Sequence, residues 1–290
     1  MTIIAKAICV FKKQGVIKSR PVLPGFNITM GITVTFVSLF IIMPFLAVFW
    51  QLKGMSWADF FDTVFDERAI STYKITFLSA LLATVLNTVF GLLLAWVLTQ
   101  YDFWGKRILN AMIDLPFALP TSVAGVALVA LYDRNGAIGS ILGDMDIEIA
   151  YTWVGIMMAM MFTSLPFGVR TVQPVLETLD KATIESSKSL GANDLQVFFK
   201  IILPRLTPAL LTGSSLSLAR SLGEFGAVIF IAGNIPFETE ITSLLMMIKL
   251  EEFDYAGASA IAVVVLTASI LILSVAGFLQ SYTTRHLRKS

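Results

Sequence analysis

Histidine, cysteine and charged residues are scarce in this chain of 290 residues. The chain has one histidine, His286, and one cysteine, Cys9, so it lacks the ligand set of a zinc or haem site and cannot form an internal disulfide. We therefore predict no metal site. Only 14% of the residues are charged and the net charge is +1, and no basic tract interleaved with aromatic residues indicates nucleic-acid binding.

Motifs for nucleotide hydrolysis and for nucleophilic catalysis are also missing. The chain has no G-x-x-x-x-G-K-[ST] phosphate loop, and its Gly105-Lys106 pair continues into Arg107 without the upstream glycine. It has no nucleophile elbow of the G-x-S-x-G type. We predict that the chain is not an enzyme, has no catalytic residues and binds no cofactor. Any chemical energy that it uses must come from a partner.

Long apolar segments dominate what is present. Hydrophobic residues make up 56% of the chain and the mean hydropathy is +0.80, which is typical of an integral membrane protein. We predict an all-α membrane protein with a six-transmembrane-helix bundle over residues 27–284. Residues 1–26 form a separate N-terminal segment, in which residues 3–11 fit a short interfacial helix, and residues 285–290 form a basic tail. The predicted spans are residues 27–50, 73–98, 111–131, 152–173, 206–231 and 257–281.

The distribution of charge between the loops predicts the orientation. Lys and Arg concentrate in the N-terminal segment, in residues 99–110, around residues 170–205 and in the tail, whereas Asp and Glu concentrate in the three intervening loops. By the positive-inside rule, both termini and the 177–205 loop are cytoplasmic. That is the side of the membrane where ATP is available.

The 177–205 loop is the only long polar interval in the chain. Asp180 is placed to cap a first short helix that closes at Gly191, a residue that accepts the positive φ of a helix stop. Asn193 can then cap a second helix. The loop therefore predicts two short helices joined by a glycine hinge.

The second helix of this loop carries apolar residues outside the membrane. Leu195, Phe198 and Ile202 fall on one face at helical spacing. Pro204 and Pro208 are expected to end or redirect this helix, because proline lacks an N–H and crowds the preceding turn.

Polar residues inside the predicted spans mark a candidate translocation path or an intramembrane pair. Arg220 and Glu224 are the only full charges placed deep within a span, and Ser217 continues their face, while Asn87 belongs to a polar stripe on the second span. Arg220 either attracts a passing anion or forms a structural pair with Glu224. The structural pair is favoured, because a neutralised arginine attracts an anion weakly and Glu224 repels one.

Two prolines near the start of the third span predict an interruption of that helix. Pro116 and Pro120 remove two backbone donors and must kink or unwind it. The interruption is either a flexible gate segment or a static kink, and the sequence does not separate the two.

The polar loop resembles the "EAA" loop of bacterial ABC importer permeases, with Ser186 and Ser187 at positions where that family usually has alanine. By this resemblance, residues 181–191 are the coupling helix that docks in a groove of a separate ATPase subunit. The positions that match the family pattern are Glu185, Gly191, Ile201, Leu203 and Pro204, and together with Ser186 and Ser187 they form the predicted ATPase-coupling loop.

Further motifs extend the resemblance along the chain from about residue 72 onward. These are IDLPFALPTSVAG, RTVQPVLE, RSLGEFGAVIFIAGNIPF, TEITSLL and LEEFDYAGASAIA. Together they are similar to bacterial sulfate/thiosulfate permeases of the CysT type, the inner-membrane components of binding-protein-dependent transport systems. GEFGA and AGNIP also occur in molybdate permeases, which leaves a molybdate-type oxyanion permease as an alternative, while FDYAGASAIA favours sulfate.

The resemblance implies a set of partners and an energy source. It predicts a second, CysW-like permease, two copies of a CysA-like ATPase that uses ATP and Mg, a periplasmic sulfate/thiosulfate-binding protein, and a location in the bacterial inner membrane. The expected mechanism is alternating access driven by the ATPase. Two other classes remain as alternatives: a secondary anion transporter that works alone, for which no inverted repeat is evident, and a membrane scaffold whose loop only binds a soluble partner.

Overall fold

The structure is a computed structural model that describes residues 26–287. Within that range the chain forms fifteen α-helices and two π-helical turns, and no strand. The predicted segment 1–26, apart from its last residue, lies outside the described residues, as do Cys9 and the last three residues of the predicted basic tail. In chain order the elements are α1 (Phe26–Val37), a π turn (Ser38–Ile42), α2 (Met43–Gln51), α3 (Trp57–Val64), α4 (Glu67–Gln100), α5 (Lys106–Ile113), α6 (Leu115–Ala118), α7 (Thr121–Tyr132), α8 (Gly139–Gly143), α9 (Trp153–Glu177), α10 (Lys181–Ser189), α11 (Asp194–Val197), a second π turn (Phe198–Ile202), α12 (Leu203–Leu222), α13 (Val228–Ile231), α14 (Thr242–Glu251) and α15 (Tyr255–Leu287).

Five helical segments between residues 26 and 287 are long and apolar enough to cross a membrane. They correspond to five of the six predicted spans and begin or end up to about a dozen residues away from the predicted bounds. The third predicted span is different, because α5, α6 and the 12-residue α7 replace one continuous helix. The five long segments are Ile28–Gln51, Glu67–Gln100, Trp153–Glu177, Asp194–Leu222 and Tyr255–Phe278.

The described residues form two compact units, which divide between Trp50 and Gln51. The first unit contains α1, the first π turn and most of α2, which follow one another without a break. Its composition is apolar throughout, as expected of a membrane span.

The second unit is built around α4, α9 and α12, which pack against one another along their length. Small residues allow this close packing: a Cβ added at Gly168 of α9 would lie 2.7 Å from the Asn87 carbonyl oxygen of α4, and a Cβ at Gly91 would lie 3.0 Å from the Gly168 carbonyl carbon. Glycine at such contacts lets helix backbones approach one another in a membrane. The three helices therefore form the core to which the shorter elements attach.

Two hydrophobic clusters fill this core at different levels along the helices. The first cluster surrounds Ile156 and Met160 of α9, and it includes Leu222 and Ile231. The second cluster surrounds Val172 and Leu176, farther along α9. This second cluster also holds the buried side chains of the polar loop that follows, so the loop is packed onto the ends of the long helices.

The fifth predicted span is shorter than expected and is broken. Helix α12 ends at Leu222 with Gly223 as its C-cap, and α13 then provides one further helical turn. Hydropathy predicts one span over residues 206–231 despite the polar and small residues in it, but Gly223 and Gly226 favour an interruption that hydropathy does not detect. The break matters for the site described next.

Candidate functional site

The polar loop folds as the predicted helix, glycine hinge and helix. Asp180 caps α10, accepting hydrogen bonds from the Ala182 N–H at 3.0 Å and from the Thr183 hydroxyl at 2.9 Å. The hydroxyl bond and the backbone bond hold the pKa of Asp180 below its ordinary value. Gly191 adopts a φ of +90°, which is the left-handed conformation that stops a helix.

A capping box begins the second short helix. The Asn193 side chain accepts the Gln196 N–H at 2.8 Å, and the Gln196 side chain accepts the Asn193 N–H at 3.1 Å. An ion pair of 2.7 Å between Lys188 and Asp194 spans the glycine hinge. These local contacts fix the angle between α10 and α11.

The loop is tied firmly to the spanning helices. Val197 and Ile202 are 3% and 4% exposed and pack with Leu176 of α9, and Ile184 of α10 packs against the same cluster. The rings of Phe198 and Trp96 on α4 meet edge to face, 5.7 Å apart. A force applied to the loop would therefore reach α4 and α9 through packed side chains.

Leu195, Phe198 and Ile202 do not present the one common face that the sequence predicted. Leu195 is 69% exposed, Phe198 is half-buried and Ile202 is buried. Leu190 and Phe199 are 89% and 60% exposed. The π turn Phe198–Ile202 explains the error, because its wider turn breaks the 3.6-residue spacing assumed from the sequence. We call Leu190, Leu195 and Phe199 the exposed loop patch.

Pro204 and Pro208, which were expected to end or redirect the helix, do not end it. Pro204 lies in the first turn of α12, and Pro208 lies inside this helix, which continues to Leu222. The π turn directly before Leu203, whose N–H bonds to the Phe198 carbonyl five residues back, gives the proline ring room and removes the need for its missing N–H.

The residues of the predicted ATPase-coupling loop are exposed or half-buried. Glu185 and Ser186 are exposed on α10, and Ser187 is half-buried. Both serine hydroxyls bond back to the Thr183 carbonyl, at 3.1 and 2.7 Å, so neither competes with the helix. Ile201, Leu203 and Pro204 are half-buried around the second π turn.

Arg220 and Glu224 form the expected ion pair, with 2.6 Å between Nη1 and Oε2. They do not share a helix face as predicted, because α12 ends between them and Glu224 lies beyond the Gly223 C-cap. The second carboxylate oxygen accepts the Ala227 N–H at 2.9 Å. Glu224 is 1% exposed and the Arg220 side chain is 31% exposed, so the pair closes the end of α12.

The breaks in the third and fifth predicted spans lie against each other. Pro116 is the second residue of α6, Leu119 after this helix is extended, and Pro120 precedes α7. The chain is therefore unwound at Leu119 and Pro120, at the end of the segment between the two prolines. A Cβ added at Gly125 of α7 would lie 2.5 Å from the Ala227 carbonyl oxygen. A Cβ at Gly226 would collide with Thr121, the first residue of α7.

The structure brings Asn87 and Ser217 together inside the three-helix core. The Asn87 side-chain amide donates to the Met161 carbonyl at 2.9 Å and to the Ser164 hydroxyl at 2.8 Å, and it lies 3.5 Å from the Ser217 hydroxyl. Asn87 is 0% and Ser217 is 1% exposed. Buried hydrogen bonds of this kind join helices in a membrane protein.

Sequence reasoning missed two charged pairs outside the 220–224 region. Arg68 at the start of α4 donates two hydrogen bonds to Glu240, at 2.8 and 2.6 Å, and the Glu240 side chain is 0% exposed. Arg170 of α9 binds Asp114, between α5 and α6, through two hydrogen bonds of 2.8 and 2.5 Å. Both pairs join residues more than 50 positions apart, which no local sequence signal indicates.

Known structures of ABC importers share this fold. A chain of a bacterial ABC transporter involved in the import of the acidic polysaccharide alginate superimposes with a TM-score of 0.73 over 89% of this chain and 95% of that one, at 17% identity. A chain of the MetNI methionine ABC transporter superimposes with a TM-score of 0.54 over 75% of this chain and 95% of that one, at 16% identity. The fold is thus that of an ABC importer permease.

The sequence comparisons narrow this class to a family. The model for the binding-protein-dependent transport system inner membrane component matches residues 87–289, and the chain belongs to this family. The chain is 53% identical to the sulfate transport system permease protein CysT of Salmonella typhimurium over 265 residues, which is 91% of this chain and 96% of the relative. The Escherichia coli CysT is 52% identical over the same shares, and that of Synechocystis is 42% identical over 90% and 92%.

Proposed function

We propose that this chain is the membrane-spanning subunit of an ATP-driven importer that moves sulfate and thiosulfate from the periplasm to the cytoplasm. The observation that carries the proposal is the 53% identity over 91% of the chain to a permease named for sulfate transport. The family and the fold add the mode of transport, because both are those of importer permeases driven by a separate ATPase.

An external energy source is necessary for this substrate. Moving an anion into a compartment that is negative inside costs about 2.3 kcal/mol per charge per 100 mV, so a dianion such as sulfate costs about 4.6 kcal/mol. Residues 181–191 dock in a groove of the ATPase, and closure of two ATPase copies tilts the spans between outward-open and inward-open states. The packing of Ile184, Val197 and Ile202 onto α4 and α9 supports this role of the loop.

The partners of the assembled complex follow from the same assignment. The chain pairs with a second, CysW-like permease, binds two CysA-like ATPase subunits that use ATP and Mg, and receives the anion from a periplasmic sulfate/thiosulfate-binding protein. Both termini and the coupling loop lie in the cytoplasm, since Lys and Arg concentrate on that side.

The intramembrane residues act as structural parts of the path. Arg220 and Glu224 hold the end of α12, Asn87 and Ser217 join α4 to α12, and the unwound segment between Pro116 and Pro120 is the gate that opens and closes. Support comes from the burial of Glu224, Asn87 and Ser217. Arg220→Ala tests the pair: normal uptake per assembled complex would exclude any role of Arg220 in attracting the anion.

Substrate competition separates sulfate from molybdate. The complex is assembled in proteoliposomes with the binding protein and ATP, and uptake of labelled sulfate is measured against unlabelled sulfate, thiosulfate and molybdate. We expect sulfate and thiosulfate to compete and molybdate to compete weakly. Stronger competition by molybdate would assign the chain to the molybdate type.

Loop variants test the coupling role. Glu185→Lys and Gly191→Pro are expected to abolish uptake while the spans still insert, because the first alters the docking surface and the second cannot adopt a φ of +90°. Retained uptake by either variant would contradict this role. Uptake by proteoliposomes that contain this chain alone would indicate a secondary transporter, and ATPase binding without any flux would indicate a scaffold.

A further inference from the structure

Arg170 uses every donor that its side chain has. An arginine guanidinium carries five N–H groups in a rigid planar fork, and all five are engaged here by three residues. Its contacts are Nε to Asp114 Oδ1 at 2.8 Å, Nη2 to Asp114 Oδ2 at 2.5 Å, Nη2 to the Asn110 carbonyl at 2.8 Å, Nη1 to Asn110 Oδ1 at 2.9 Å and Nη1 to Gln173 Oε1 at 2.8 Å.

These contacts hold the stretch of chain that leads into the unwound segment. The Asn110 carbonyl is one of the last four of α5, which have no partner within that helix, and a cation is favourable at this end of a helix. Asp114 lies between α5 and α6, two residues before Pro116. A second contact follows at once, as the rings of Phe117 and Phe167 meet edge to face, 5.2 Å apart.

The other side of Arg170 leads to the coupling loop. Helix α9 continues from Arg170 for two turns to Glu177, and α10 begins at Lys181. Val172 and Leu176, between these points, are packed in the cluster that also buries the loop side chains. Pro174 also lies in this stretch of α9, so the link between the loop and Arg170 depends on the packed side chains of Val172 and Leu176 rather than on the helix backbone alone.

The hydrogen bonds of Arg170 give this pair a fixed geometry as well as an attraction between charges. Within this chain the Arg170 side chain is 30% exposed and that of Asp114 is 48% exposed, so the rest of the chain leaves the pair partly uncovered. What the five donors provide is a fixed geometry, because the planar fork permits one arrangement of Asn110 and Asp114 relative to α9.

We propose that Arg170 is the positioning residue that joins the coupling loop to the unwound segment between Pro116 and Pro120, so that movement of the loop opens and closes this segment. The proposal rests on the importer function proposed above. When the loop moves, α9 carries Arg170 with it, and the fork moves Asn110 and Asp114 with α9. Without the hydrogen bonds of Arg170, ATP hydrolysis would proceed without the matching movement of the gate.

The test measures sulfate imported per ATP hydrolysed by the complete complex in proteoliposomes, with labelled sulfate as the probe. The variants are Arg170→Gln, Arg170→Lys, Asp114→Asn and the double variant Arg170→Gln/Asp114→Asn. Arg107→Gln is the matched control, since Arg107 is an exposed arginine on α5 outside the Arg170 network. Amounts are normalised to assembled complex.

We expect Arg170→Gln and Asp114→Asn to lower the ratio several-fold, because Asn110 and Asp114 are then no longer held to α9, while the binding protein still stimulates ATP hydrolysis. Arg170→Lys should not restore the ratio, because an ammonium cannot fill the fork. The double variant should be no worse than either single variant, as residues of one contact act together. The control should match the wild type.

An unchanged ratio in Arg170→Gln and Asp114→Asn would overturn the proposal, whether uptake and ATP hydrolysis both stay at the wild-type level or both fall in equal proportion. If Arg170→Gln prevents assembly, Asp114→Asn decides alone, because it keeps the shape of the side chain. Failure of the importer function itself would be visible separately, as absence of ATP-dependent uptake in the wild type.

Discussion

Truncation of the exposed loop patch should weaken binding of the ATPase subunit more than any other surface change. Leu190, Leu195 and Phe199 are 89%, 69% and 60% exposed. Fully burying a side chain of this kind contributes about 1.5 to 3 kcal/mol, so in proportion to its exposure Leu190 alone contributes about 1.3 to 2.7 kcal/mol if docking covers it. The three together contribute about 3 to 6 kcal/mol.

The single change Leu190→Ala removes most of that contribution at one position. Since every 1.4 kcal/mol corresponds to a tenfold change, the dissociation constant for the ATPase subunit should rise about 10-fold, and the triple change to alanine should raise it at least about 100-fold. The chain should keep its fold, because an exposed side chain makes few contacts within it. The assay is equilibrium binding of the purified ATPase to the permease pair in nanodiscs.

Ile141→Ala is the matched control for Leu190→Ala. Ile141 is 64% exposed in α8, in a loop predicted to face the periplasm, and its truncation should leave ATPase binding unchanged. Equal effects of the two variants, or no effect of the triple variant, would refute the assignment of the exposed loop patch to ATPase docking.

Three further changes test the packing of the chain. Gly168→Val should lower the yield of folded protein and destabilise it by about 1 to 3 kcal/mol, because its Cβ would lie 2.7 Å from a carbonyl oxygen of α4. Gly277→Val is the control and should not destabilise the protein, because a Cβ at Gly277 would meet open space. Equal thermal unfolding of the two variants would contradict the close packing. Arg68→Ala should lower the thermal midpoint, because it leaves the carboxylate of Glu240, which is 0% exposed, without its partner. The free energy of unfolding should fall by about 2 kcal/mol, once the partial exposure of the arginine is allowed for. Replacing both partners by apolar residues should restore the midpoint. The pKa of Asp254 is held below its ordinary value of 3.8 by a backbone N–H and a lysine, so the stabilising effect of this carboxylate is present above pH 3.8 and is lost as the pH falls through the folded-state pKa. The difference in thermal midpoint between wild type and Asp254→Asn should therefore be constant from pH 7 to about 5 and shrink below about pH 4. A constant difference down to about pH 3 would contradict this linkage between protonation and stability.

Local signals predicted local structure well. Asp180, Gly191 and Asn193 carry capping and hinge roles that depend only on residue type and on neighbours within four positions, and the structure confirms all three. The prolines at 116 and 120 likewise interrupt the helix where backbone donors are lost. Long apolar runs predicted five of the spans for the same reason, since hydropathy is a property of the segment itself.

Features that depend on other parts of the chain were not predictable. The π turn before Leu203 changed which loop residues share a face, and the fixed spacing of a regular helix cannot anticipate such a turn. Glu240 looked like an ordinary loop acid because its partner, Arg68, is 172 residues away in sequence. Arg170 looked like a charge at the edge of a loop for the same reason. These pairings exist only once the helices have packed.

Crosslinking and labelling of a cysteine at position 190 can show whether the loop faces the cytoplasm and contacts the ATPase subunit. Cys9→Ser removes the only cysteine, and Leu190→Cys then places a single thiol on the exposed loop patch of the assembled complex. We expect this thiol to crosslink to the ATPase subunit with and without ATP and to be protected from a membrane-impermeant reagent added from the periplasmic side. Labelling from the periplasm, or crosslinks to nothing but lipid in every nucleotide state, would contradict this expectation.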